Sequence, residues 1–392
     1  MRIVVFHNFY RSSRPSGENA AVLSDVGLLR EAGHDVLLAR KDSDDALSGG
    51  LLGAAAAAGS AVYSVPGRRD AAAALRSFAP HVAHVHNLYP LWSPSLLDAA
   101  RAEGVPTMQV LHNYRLSCLS ASHVLNGRPC FKCLGERVPL QGAQHRCYGG
   151  SAAGSAVMTL SRAVNNPRLL RTDHFLAVSE VVRRRAIEHG VDPDRITIKP
   201  EHLAARPVEV VDSVGDGFLS IGRLDVNKGP LLLVEAYAAY RAAGGGQPLR
   251  IAGGGPLEGE LRRRAASVPG IELLGQVPHD AVAAEIRRAR AVVSPALWEE
   301  PFGLTVLEAW REQRPVIVTD LGSPAEMTSA GTGWVVQPDP SALATAMHAA
   351  DDADEAARRG RAGGEELVRR YSPQTTLRAY EQAWSLAGVS TA

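Results

Sequence analysis

The chain has 392 residues, of which 45% are hydrophobic, and its charges nearly cancel: 42 Lys and Arg stand against 41 Asp and Glu, for a net charge of +1. That length exceeds one average domain and points to two domains of roughly 200 residues each. The near-zero charge supplies no basic field for nucleic acid, so a nucleic-acid partner is not expected. The alanine run Gly53–Gly59 is too short and too weakly apolar to span a bilayer. The first residues carry no charged segment and cleavage site of a secretory signal, so a cytoplasmic protein is expected, with peripheral membrane contact left open.

Taken in order, Arg2-Ile3-Val4-Val5-Phe6 reads as a first strand, and His7-Asn8-Phe9-Tyr10 leads into a loop at Arg14-Pro15-Ser16-Gly17-Glu18-Asn19. A helix follows, with Val22, Val26 and Leu29 on one face. It stops at Gly33-His34, before the strand Val36–Ala39. Strand, glycine-bearing loop, helix and strand open a Rossmann-like unit. No GxGxxG is present, so a nicotinamide cofactor has little support. The apolar strands at 82–87 and 107–113 both end in His-Asn, at His86-Asn87 and His112-Asn113. Polar residues at the carboxyl ends of parallel strands are what an open sheet offers a ligand.

All four cysteines crowd into the next segment: Cys118, the CxxC pair Cys130 and Cys133, and Cys147. Four thiols with a CxxC pair suit tetrahedral zinc, which would order a loop rich in Gly, Pro and charge. An iron–sulfur cluster, free thiols or disulfides stay open, as does His145 as a substitute ligand. Further strands are expected at 175–178, with Ser179 capping a helix, and at 196–200. Residues 204–216 lack periodicity and read as a linker.

A second Rossmann-like half begins at Phe218–Ile221 and runs into Gly222-Arg223-Leu224-Asp225-Val226-Asn227-Lys228-Gly229. Glycine there permits close approach of a ligand, and Arg223 and Lys228 bring two cations to one turn. Leu249–Ala252 leads into Gly253-Gly254-Gly255-Pro256, and strands at 271–275 and 291–295 lead to Glu299-Glu300-Pro301-Phe302-Gly303-Leu304-Thr305-Val306-Leu307-Glu308. The proline predicts a helix opening at Pro301 to Gly303, with Glu300 at its mouth, where unpaired N–H groups attract anions. A carboxylate beside an anion site suits the hydroxyls of a ligand that also carries phosphate, such as a sugar diphosphate.

Glu300 and Glu308, with seven residues between them that include Phe302-Gly303-Leu304, and with Gly222-Arg223-Leu224 and Lys228-Gly229 before them, resemble the signature of the family 4 retaining glycosyltransferases. The resemblance covers nearly the whole chain. It implies an α/β fold of the GT-B type, two Rossmann-like domains facing across a cleft, with a cysteine-rich insert. The acceptor domain would be 1–203 (insert 113–150), the linker 204–216 and the donor domain 217–372, with 373–392 returning to the first. It implies a nucleotide-sugar donor, UDP-linked by preference, a hydroxyl-bearing acceptor and no catalytic metal.

Arg223, Lys228, Glu300 and His112 would serve catalysis. Gly17, Gly222, Gly253 and Val277 would line the donor, with Pro301, Phe302, Gly303, Leu304 and Glu308 completing its site. Glu18, Asn19, Asn87 and Asn113 would lie toward the acceptor. Three departures from the family pattern stand out: Pro200-Glu201-His202 where relatives carry Pro-Asn-Gly, Ser323 for a second glycine after Gly322, and Arg314 where a glycine helix cap is usual. A nucleotide-sugar-binding module without transfer, or a phosphorylase of similar architecture, are the alternatives. Oligomeric state is not readable from the sequence.

Overall fold

The computed structural model describes residues 1–11, 16–45, 50–203, 215–328 and 331–389. Arg14 and Pro15 of the first loop, and 204–214 of the expected linker, lie outside these. The chain forms two units, one comprising 1–123, 130–202 and 373–392, the other 124–129 and 203–372.

The first unit holds a six-stranded parallel sheet of β1 (Arg2–Phe9), β2 (Asp35–Asp42), β3 (Val82–Val85), β4 (Thr107–Leu111), β7 (His174–Ala177) and β8 (Ile196–Ile198), in the order β2-β1-β3-β4-β7-β8. β5 (Val124–Leu125) and β6 (Arg128–Pro129) form a separate antiparallel pair that groups with the second unit. The second unit repeats the theme with β9 (Phe218–Ile221), β10 (Leu249–Ala252), β11 (Ile271–Gly275), β12 (Ala291–Ser294), β13 (Val316–Thr319) and β14 (Gly333–Val336), ordered β11-β10-β9-β12-β13-β14. Central strands such as Val82–Val85 and Val316–Thr319 are buried along their whole length, which explains their unbroken apolar character: a parallel sheet covered on both faces has no polar side to alternate with.

Both sheets reverse strand order beside their first strand. In the first unit β2 lies on one side of β1 and β3 on the other; in the second, β10 and β12 flank β9. Strand connections diverge at such a point and leave a crevice at the carboxyl ends, so chemistry is sought there.

The helix Gly17–Glu31 starts where Ser16 accepts from the Glu18 amide, and buries Val22, Val26 and Leu29. The last helix, Pro373–Leu386, belongs to the first unit and buries Tyr380 and Trp384. Among the described residues no helix is long and apolar enough to cross a membrane.

The acidic segment departs from expectation. The helix runs Leu304–Arg311, and Gly303 caps it with φ of 102°, a left-handed conformation that lies outside the helix. Pro301 therefore sits in a turn before the helix, not in its first turn. Glu300 is held by a parallel bridge to Gly322 instead. At the far end it is Gln313, with φ of 51°, that takes the left-handed position, while Arg314 donates to the Arg287 carbonyl at 2.6 Å.

The first unit is locked by a buried charge cluster. Lys199, fully buried after β8, donates to both oxygens of Asp25 (3.0 and 2.8 Å) and to Glu201 Oε2 (3.1 Å), and Tyr380 donates to Asp25 Oδ2 at 2.8 Å. Burial alone would lower the lysine's pKa; the two carboxylates outweigh it and raise it. Removing one partner of such a cluster strands buried charge. Lys199→Ala is thus expected to destabilise the chain by about 3–5 kcal/mol in denaturant unfolding, and a loss under 1 kcal/mol, the scale of a surface pair, would show that water reaches this cluster.

Candidate active site

At the first sheet's switch point the strand exits are stitched together. The Asn8 amide donates to the Asn87 carbonyl, and Asn87 Nδ2 donates back to the Asn8 carbonyl, both at 2.8 Å. Asn87 Oδ1 accepts from the Tyr89 amide at 3.1 Å, so its side chain is committed to shaping the loop. His86 and His112, at the ends of β3 and β4, stack with centroids 5.1 Å apart, and His86 Nδ1 lies 2.8 Å from His112 Nε2. His112 Nδ1 faces Glu201 Oε1 at 2.7 Å.

Beside them, Glu18 Oε2 accepts from Asn113 Nδ2 and from the Tyr10 hydroxyl, each at 2.9 Å. Asn19 Oδ1 lies 3.0 Å from His7 Nε2. Glu18, Asn19, Asn87, His112 and Asn113 are thereby gathered at one end of the first sheet. Gly17 begins the helix next to them and is exposed. Burial lowers the pKa of His112, but Glu201 outweighs it and the net direction is up. Burial, then the neighbouring His112, holds His86 far below the usual histidine value.

In the second unit, Asp225 caps a turn at Val226–Lys228 by accepting from the Lys228 amide at 3.2 Å, which fixes the lysine's place after β9. Lys228 Nζ donates to Glu300 Oε1, joining the exits of β9 and β12 across the second switch point. Glu300 Oε2 is buried and has no hydrogen-bond partner among the described residues. Arg223 pairs with Asp225 instead, and its side chain is 64% exposed against 29% for Lys228. The two cations therefore answer to different carboxylates.

Glycines bring the backbones close. Gly253, with φ of 140°, sits so near the Gly222 carbonyl that a β-carbon would lie 1.8 Å from its oxygen. Phe302 is buried with its ring edge-on to Tyr371 at 5.9 Å. Glu308 lies one turn into the Leu304–Arg311 helix, and burial raises its carboxyl pKa. Val277 lies in the loop after β11.

The four cysteines are free thiols, Cys118 and Cys133 buried and the others half-buried. The Cys133 thiol is pushed up to about 11, by burial first and then by the nearby Cys118. Among the described residues no three His, Cys, Asp or Glu are grouped so as to hold a metal ion. The segment does find an apolar anchor, contrary to expectation: Leu119 packs with Ala61 and Met158, and Tyr89, Cys147, Tyr148 and Val157 close around them.

Sequence reasoning passed over His86 and Glu201. The first looked like a companion of Asn87. The second was visible only as a departure from Pro-Asn-Gly, since its partner His112 lies 89 residues away.

Two parallel Rossmann-like sheets, each with polar groups at its switch point, define an α/β protein of the GT-B class. Solved structures agree on that fold. Anabaena HepE in complex with UDP is similar at TM-score 0.67 and 15% identity, covering 98% of this chain and 100% of that one. Sucrose-phosphate synthase of Thermosynechococcus elongatus is similar at TM-score 0.65 and 17% identity, covering 99% and 100%.

A family model described as glycosyl transferase 4-like domain matches residues 16–201, and one described as glycosyl transferases group 1 matches 215–350. The chain therefore belongs to the group 1, family 4 glycosyltransferases. A phosphatidyl-myo-inositol mannosyltransferase of Mycobacterium leprae is 31% identical over 249 residues, 59% of this chain and 65% of that protein. A glycogen synthase of Mycobacterium tuberculosis is 30% identical over 207 residues, 51% and 48%. The match to the synthase spans about half of that relative's length.

Gly253→Ala tests the close approach directly. A β-carbon cannot fit against the Gly222 carbonyl, so the variant is expected to lose about 2–4 kcal/mol of stability. A thermally unchanged variant would place the loop elsewhere.

Proposed function

We propose that this chain is a retaining hexosyltransferase that moves a sugar from a nucleotide diphosphate to a hydroxyl acceptor. The observation that carries the reading is the Lys228–Glu300 pair with its buried, unpartnered Oε2. A cation asks for an anion, and a carboxylate oxygen that can only accept asks for a hydroxyl. A sugar diphosphate supplies both. Each such charge-assisted bond contributes roughly 1.5–3 kcal/mol, enough for a few of them to orient the donor.

In this reading the bond from the anomeric carbon to the phosphate oxygen breaks, and its electron pair stays with the diphosphate. Arg223 and Lys228 meet that growing charge, which is catalysis by differential stabilisation of the transition state. The acceptor oxygen bonds to the anomeric carbon on the face the phosphate leaves, and its proton passes to the departing phosphate oxygen. Front-face substitution needs no enzymic nucleophile. Glu308 would hold the ribose hydroxyls. A UDP-sugar is preferred as donor because HepE was solved with UDP. The gathering of Glu18, Asn19 and Asn113 supports a polyhydroxylated acceptor on the first unit. Nucleotide release measured with a panel of sugar nucleotides and acceptors separates transfer from binding alone.

Lys228→Ala and Arg223→Ala are each expected to lower kcat by about 10²–10³, as loss of an oxyanion-stabilising donor does. Lys228→Ala should show the larger effect because the lysine is better shielded from solvent. Unchanged turnover in both would remove the proposed electrostatic role.

Structural zinc at Cys118, Cys130, Cys133 and Cys147 is kept as a proposal that rests on CxxC spacing. Metal analysis of reduced, purified protein is expected to find one zinc per chain. A ratio near zero would return the thiols to packing.

A further inference from the structure

A continuous line of hydrogen-bonded charge runs behind the strand exits of the first sheet. It passes from Tyr380 to Asp25 (2.8 Å), to Lys199 (2.8 Å), to Glu201 Oε2 (3.1 Å), then from Glu201 Oε1 to His112 Nδ1 (2.7 Å) and from His112 Nε2 to His86 Nδ1 (2.8 Å). It ends at His86 Nε2, which is buried and has no partner among the described residues. His86 itself is only 4% exposed. With Glu18, Gln109, His112, Asn113 and Arg115 it lines a cavity of about 40 Å³. A water needs roughly 10–15 Å³ of such space, so the cavity admits a ligand hydroxyl and a water or two, not a whole sugar ring. A buried ring nitrogen left unmet is unfavourable, and a ligand oxygen there would relieve it.

The carboxylate of Glu201 can only accept, so His112 Nδ1 carries hydrogen. When His112 is an imidazolium, its Nε2 also donates, His86 Nδ1 must accept, and the His86 proton sits on Nε2 as a donor toward the cavity. When His112 is neutral, its Nε2 accepts from His86 Nδ1–H, and His86 Nε2 is left a bare acceptor. One proton on His112 therefore reverses what His86 offers.

We propose that His86 is a ligand-contacting residue whose Nε2–H meets an oxygen of the bound sugar or acceptor, and that Glu201 is a positioning residue which, through His112, holds His86 in that donor form. The identity of the ligand rests on the transferase reading; the coupling of the two rings does not. The groups facing His112 are Glu201 and Lys199 at the β8 exit, His86 after β3, Glu18 of the Gly17–Glu31 helix, and His7 at the end of β1.

The sign follows from the raised His112 pKa. The imidazolium, and with it the His86 donor, is present at low pH and is lost as pH rises through that value. Glu201→Gln removes the anion that raises it, so the loss comes at lower pH.

The experiment follows the His112 and His86 ring nitrogens by ¹⁵N NMR, and kcat/KM against pH, in the full chain, in Glu201→Gln and in His86→Ala. Glu201→Gln is expected to move the His112 titration and the alkaline fall of kcat/KM downward together, by about one pH unit, a tenfold change in proton affinity. His86→Ala is expected to lower kcat/KM about tenfold or more, the loss of one charge-coupled hydrogen bond. An alkaline limb that stays put while His112 shifts, or full activity in His86→Ala, overturns the proposal. If Glu201→Gln fails to fold, His86→Ala decides by itself, because it leaves the Lys199 cluster intact. Should no sugar nucleotide be turned over, the transferase reading fails, while the ring titrations still decide the coupling: a His86 tautomer that ignores the His112 proton refutes it.

Discussion

A lysine with no solvent exposure, held between Asp25 and Glu201, is the interaction on which the first unit depends. It joins three distant parts of the chain: the helix Gly17–Glu31, the exit of β8, and the last helix through Tyr380. Such a cluster contributes little net stability compared with an apolar replacement, but it penalises every arrangement that leaves one member unpaired. It therefore acts on specificity. Glu201 has two oxygens; one satisfies Lys199 and the other is left to fix His112. The same residue that completes the buried cluster sets the chemistry at the sheet's carboxyl edge.

The second unit solves its problem differently. Its pairs, Lys228 with Glu300 and Arg223 with Asp225, keep partial access to solvent, with lysine and arginine side chains 29% and 64% exposed. Charges that water reaches can change partners at modest cost. This would suit the proposed binding and release of a sugar diphosphate. The close approach of Gly222 and Gly253 serves the same end by removing side chains from the strand exits, so that the backbone itself can line the site.

Much of the fold was legible because parallel strands buried on both faces have to be apolar throughout. Val82–Val85 and Val316–Thr319 announce themselves, and the polar residues that follow such runs mark the carboxyl edge. What was not legible depended on backbone conformation or distant pairing. Pro301 looked like a helix start, yet Gly303 takes a left-handed φ and the helix waits until Leu304. The cysteine segment looked unable to order itself because its apolar partners, Ala61 and Met158, lie outside it. His86 and Glu201 were missed for the same reason: a histidine at a strand end has no fixed meaning until the group that orients it is known.

The departure from Pro-Asn-Gly at Glu201 carries the most weight in this light. A neutral residue at that position could hydrogen-bond His112 Nδ1 but could not raise its pKa, and it would leave Lys199 with Asp25 as its one carboxylate partner. Burial would then weigh more heavily on both groups, lowering the His112 pKa and leaving Asp25 to hold the Lys199 charge. The glutamate prevents both outcomes at once. A substitution that seems to weaken the resemblance is, in physical terms, what lets a buried cation and a histidine of raised pKa share one core.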